Sequence, residues 1–126
     1  MKTLFCPECK YPLKTVFKQG FFSGWLRCPR CEEPSYALVT EDGTSAIRSI
    51  AQYISVLDDS GRGVLDYLLK KNNEQLPLRE LVFMVGKRAE FAIEEMAEAQ
   101  VLERYGPYYY IRPDIVDAIR KALYKQ

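Results

Sequence analysis

Cys6-Pro7-Glu8-Cys9 and Cys28-Pro29-Arg30-Cys31 repeat one C-P-x-C pattern, with the 18 residues Lys10 to Arg27 between them. Each such turn presents two thiols a few ångströms apart and directs backbone N–H groups at the sulfurs. An intervening hairpin that brings the pairs together completes a tetrahedron, so the spacing points to one closed four-cysteine zinc site, Cys6, Cys9, Cys28 and Cys31. Four protein ligands leave such an ion no open position, which makes it structural rather than catalytic. The alternatives are a dithiol redox pair, which normally occurs singly on a βαβ unit absent here, and an iron site of rubredoxin type, which four thiolates also hold.

Other chemistry is sparse. Histidine is absent from all 126 residues, which removes the commonest general base and every imidazole-based catalytic zinc site. Ser60-Gly61-Arg62-Gly63 lacks the lysine and glycine spacing of a phosphate-cradling loop. Asp58-Asp59 reads as a helix terminator rather than a metal site. The expectation is a protein without catalytic residues, not an enzyme.

The formal charge is +1, too small for general attraction to nucleic acid or anionic lipid. Residues 1–40 carry six basic and three acidic side chains, while the remainder carries 12 basic and 14 acidic ones. No run approaches the ~18 apolar residues of a membrane span, and the first cysteine follows Met1 too closely for a signal-peptide core. Cysteines read as a metal site suit a reducing compartment, so the expected location is the cytoplasm.

The elements that must position these residues follow from the pattern. Leu13–Lys18 alternates like a strand, Gln19-Gly20 marks a turn, Phe21 to Leu26 returns, and Ser35–Thr40 is a further strand. Glu41-Asp42-Gly43 forms a boundary. Thr44 or Ser45 is expected to cap an amphipathic helix whose Ile47, Ile50, Ile54 and Leu57 share one face, ended by Asp58-Asp59-Ser60-Gly61. Then come a helix from Val64 to Lys71, a short helix from Leu78 to Val85 broken by Gly86, and a helix from Lys87 to Ala99. A hairpin, Val101–Tyr105 and Tyr108–Arg112 about Gly106-Pro107, precedes a last helix opened by Pro113. The expected fold class is α+β, divided into a β module at 1–43, a connecting helix at 44–60 and a helical domain with a hairpin at 61–126.

Residues 4–40 resemble the zinc-ribbon family in Cys6, Cys9, Cys28 and Cys31 with Pro7 and Pro29. Many members carry glycine after the second cysteine of each turn; Lys10 and Glu32 stand there, so less regular turns are expected. Residues 61–126 resemble the winged-helix family, in which Leu78-Arg79-Glu80-Leu81 opens the second helix, Ile93-Glu94-Glu95-Met96 lies in the third and the hairpin is the wing. In DNA-reading members the third helix enters the major groove and the wing follows the backbone. Transcript-cleavage ribbons carry adjacent acids at the hairpin tip, and this tip, Gln19-Gly20-Phe21-Phe22, has none.

The two resemblances together imply a DNA-associated transcription regulator or factor with one structural Zn²⁺. Its expected nucleic-acid contacts are Lys87 and Arg88 at the third helix, Arg104, Tyr108 and Arg112 on the wing, and Lys14, Lys18 and Arg27 on the ribbon. Its partners would be double-stranded DNA, RNA polymerase or another information-processing protein. The rival expectation is a protein-interaction module, an adaptor or inhibitor of cellular or viral origin. It would dock through an acidic third helix (Glu90, Glu94, Glu95, Glu98) with Phe91 and through the ribbon aromatics Phe21, Phe22 and Trp25. A homodimer through residues 44–57 is a further expectation.

Overall fold

The computed structural model describes residues 4–13, 22–40 and 44–124. The chain divides into two units, Met1–Tyr53 and Ile54–Gln126.

In the first unit β1 (Leu4–Phe5) pairs antiparallel with β2 (Pro12–Leu13), so that the first C-P-x-C turn sits in the loop between them. The sequence offers little sign of this pair, because two-residue strands have no periodicity to read. The second turn lies between β3 (Phe22–Arg27) and β4 (Pro34–Val39), which pair antiparallel with Trp25 opposite Tyr36. The expected strand continuing through Lys14–Lys18 and the Gln19-Gly20 turn lie outside the described residues. Leu4, Cys6, Leu13, Cys28, Ala37 and Val39 form the buried cluster of this unit.

The connecting helix expected from Thr44 is corrected. Ser45–Ser49 is instead β5, added antiparallel to the far edge of β4 in the order β3-β4-β5, and only α1 (Ile50–Ser55) is helical. Ser45-Ala46-Ile47-Arg48-Ser49 also alternates with period two, and Ile47 opposite Ala37 packs against the buried cluster. Pairing with a strand that needs a partner therefore overrides the helical spacing. The N-terminal sheet thus continues past Gly43. Helix α1 starts at a capping box: Gln52 N–H donates to Ser49 Oγ at 3.1 Å and Ser49 N–H donates to Gln52 Oε1 at 3.1 Å.

The second unit is built on α2 (Asp59–Lys70), which buries Val64, Leu65, Leu68 and Leu69. Asp58, expected to end the preceding helix, instead caps this one, accepting from Gly61 N–H at 2.8 Å. Asn72 and Asn73 turn the chain out of α2 with φ of 59° and 56°, a conformation asparagine tolerates. The Asn73 amide then accepts from Ile111 N–H at 2.7 Å and donates to Ile111 C=O at 2.8 Å, imitating a strand pair. A short strand missed in the sequence, β6 (Leu76–Pro77), leads into α3 (Leu78–Val85) and then, past Gly86 at φ 131°, into α4 (Ala89–Glu98). The hairpin of β7 (Leu102–Tyr105) and β8 (Tyr108–Ile111) follows, and β8 lies between β6 and β7. A 3-10 turn at Pro113–Ile115 opens α5 (Val116–Leu123). Leu81, Ile93, Met96, Val101, Ile111 and Ile119 complete the core against α2.

Among the described residues no helix is long and apolar enough to cross a membrane.

Candidate metal centre and exposed surfaces

The two cysteine turns share one construction. In the first, Lys10 N–H donates to Cys6 C=O at 2.9 Å and Cys6 N–H donates to Tyr11 C=O at 2.9 Å. In the second, Glu32 N–H donates to Cys28 C=O at 2.8 Å and Cys28 N–H donates to Glu33 C=O at 3.2 Å. Lys10 and Glu32 reach these bonds with φ of 66° and 63°. The turns therefore keep the regular left-handed geometry with non-glycine residues, contrary to the expected irregularity. Arg27 secures the second turn from outside, donating from Nη1 to Glu32 C=O at 2.8 Å.

The turns bring all four cysteines together, with their sulfurs within 4.8 Å of one another. Cys6 Sγ stands 3.6 Å from Cys31 Sγ, and Cys9 Sγ stands 3.5 Å from Cys28 Sγ. Sulfurs in a tetrahedron at ~2.3 Å from one ion would be ~3.8 Å apart, so the donor set fits one metal ion and the cluster can hold it. All four thiols are free of disulfides.

Electrostatics favour a cation. Burial opposes ionisation of Cys28, but N–H groups of Cys31 and Arg30 and the thiols of Cys9 and Cys31 outweigh it and bring its pKa down to about 7. Cys31 is pushed up to about 12, first by burial and further by the sulfurs of Cys6, Cys9 and Cys28. Cys31 as a residue is exposed, yet its sulfur faces the other three, and that local packing governs its ionisation. Thiolates this close repel one another, and one divalent cation is what lets all four ionise.

The expected nucleic-acid contacts divide between the two units. Lys14, Lys18 and Phe21 lie outside the described residues. Lys87 and Arg88 stand exposed in the turn before α4, with no ion pair among the described residues. The cations at the β7–β8 hairpin, Arg104 and Arg112, are engaged within their own unit. Arg104 donates to Gly106 C=O at 2.8 Å and lies 5.9 Å from the Tyr109 ring centre. Arg112 pairs with Asp114 at 2.8 Å and reaches Gln100 at 3.3 Å. Tyr108 is exposed at the hairpin tip.

Of the expected partner contacts, Phe22 packs half-buried on the cysteine core and Trp25 lies half-buried on the opposite face of the sheet. Phe91 is 71% exposed on α4, which also carries Glu90, Glu94, Glu95 and Glu98, all exposed. Sequence reasoning missed Phe83 and Met84 on α3, which are 85% and 53% exposed. The signal was available: Leu78-Arg79-Glu80-Leu81-Val82-Phe83-Met84-Val85 is apolar at six of eight positions. One stripe of a two-turn helix cannot bury them all.

Comparison of the chain with protein-family models, with curated proteins and with solved structures found no match.

Proposed function

We propose that this chain is a non-catalytic docking protein of the transcription or replication machinery. One structural Zn²⁺ holds its first unit as a zinc ribbon, and a winged-helix unit presents the α3–α4 surface to a protein partner. The all-sulfur donor set supports zinc. The order of helix, short helix, helix, hairpin and helix, with β6 joined to the hairpin, supports the winged helix. The observation that carries the docking reading is the 71% exposure of Phe91 and 85% exposure of Phe83 in a unit whose α4 surface carries four glutamates. Such a surface would face phosphates unfavourably and suits a protein. The metal supplies no reaction step; the four cysteines fix the two turns from which the sheet extends.

Duplex DNA is the second reading, and it rests on the exposed Lys87 and Arg88. One pair of assays separates the two. Tagged wild-type chain is expected to retain a partner from source-cell extract that a correctly folded Phe91→Asp variant loses, and to leave a mixed-sequence duplex unbound. Salt-sensitive duplex binding abolished by Lys87→Ala with Arg88→Ala would instead establish the DNA reading.

A further inference from the structure

The cysteine core explains only one face of the N-terminal sheet. Gly24, Ala37 and Ile47 stand opposite one another across the three strands and point to the core side. The positions between them point the other way, and that face carries Trp25, Arg27, Tyr36, Leu38, Ala46 and Arg48 and, among the described strand residues, no carboxylate. Trp25 pairs with Tyr36 and Tyr36 with Arg48, so two rings and a guanidinium form one row across β3, β4 and β5. The Trp25 and Tyr36 rings meet edge-on with centres 5.5 Å apart, and Tyr53 from α1 meets Trp25 edge-on at 6.5 Å. Between Tyr53 and the sheet a cleft of about 240 Å³ opens over the small Ala46, walled by Tyr36, Leu38 and Arg48. Arg48 is exposed and makes no ion pair among the described residues.

We propose that this face binds single-stranded nucleic acid, with an unpaired base against Tyr36 and Tyr53 in the cleft and a backbone phosphate on Arg48. Rings offer every base a flat partner, and an exposed cation that makes no ion pair among the described residues attracts the phosphate. Duplex bases are already stacked on one another and cannot enter such a cleft. A cationic ligand, the other class that aromatic clusters hold, is repelled by Arg48. The site lies wholly within the first unit, so it stands independently of the docking role given to α3–α4.

Trp25 is the only tryptophan of the chain, so its emission reads this ring cluster directly. The experiment titrates the zinc-loaded full chain at low salt with an oligothymidylate of ~12 nucleotides. Expected are a saturable change in Trp25 emission, weakening as salt rises, and affinity reduced about tenfold or more in Arg48→Glu. Phe91→Asp should bind as the wild type does. Arg48 is exposed, so its substitution leaves the core intact, and circular dichroism with zinc content verifies this. Four results would each overturn the proposal: no emission change, an Arg48→Glu variant of unchanged affinity, equal binding of a duplex of the same length, or an equal response to a polyglutamate peptide.

Discussion

At the scale of single residues, the four cysteines were legible because ligand type and spacing are themselves the chemistry. The backbone that serves them was not. Lys10 and Glu32 occupy left-handed backbone at 66° and 63°, where side chains other than glycine cost roughly 1–2 kcal/mol. The paired N–H bonds of each turn hold that conformation, and a metal ion on the cysteines would hold it further, so the residue type stops signalling it. Glu32→Gly should leave zinc-loaded stability unchanged or raise it by up to ~1 kcal/mol. Glu32→Val should lower it by ~1–2 kcal/mol, since a β-branched residue fits this region worst. Urea titration of the loaded protein measures both.

A second residue-scale test concerns Tyr124 and Asp66, joined by a short hydrogen bond in which the phenol donates. That bond is the first cause of the lowered Asp66 pKa, with Lys70 assisting. Burial, then the bond to Asp66 and its charge, push Tyr124 up to about 12 from 10.0. Asp66 therefore contributes stability that is present above its unfolded value of 3.8 and lost as pH falls through its lower folded value. Tyr124 contributes stability that is complete below pH 10.0 and lost as pH rises toward 12. Tyr124→Phe should remove at most ~1 kcal/mol, because both groups are partly in solvent. The loss should vanish at both ends of a pH series of melting curves.

At the scale of elements, α3, α4 and the β7–β8 hairpin were readable because each has a period and a punctuating Gly or Pro. The stretch 44–57 was misread because it satisfies two periods at once; only the free edge of β4, a tertiary fact, decides between them. Ser49, rather than Thr44 or Ser45, then caps the helix. Gly63 shows a constraint of the same kind. It lies inside α2, where alanine would ordinarily be favoured by ~1 kcal/mol. A Cβ there would stand 2.9 Å from Val85 Cγ1 on α3, and valine has little rotamer freedom to yield. Gly63→Ala should therefore destabilise by ~1–3 kcal/mol, and the double variant with Val85→Ala should recover part of the loss. Thermal denaturation of the two single variants and the double variant gives that coupling.

At the scale of the whole molecule, sequence composition located the division of labour but not its surfaces. The first unit has a small core of which two cysteines, Cys6 and Cys28, are members, so burial alone leaves it marginal. The second unit has an apolar core spread over α2, α3, α4 and the hairpin and includes none of the cysteines. Metal binding of this type contributes on the order of 10 kcal/mol to folding, and an ion on these four cysteines would place that contribution in the first unit. Phe91 was legible in the sequence and the apolar excess of α3 signalled Phe83 and Met84, whereas the basic-aromatic sheet face could be found only once strand register fixed which side chains were left outside. The most direct measurement is amide hydrogen exchange, read peptide by peptide, on the zinc-loaded full chain before and after a chelator strips the metal. The expected result is that peptides covering β3 and β4 lose their protection on stripping while those covering α2 and α4 keep theirs. Unchanged protection of β3 and β4 in metal-free protein would contradict it, because the four cysteines would then not be what holds the first unit together.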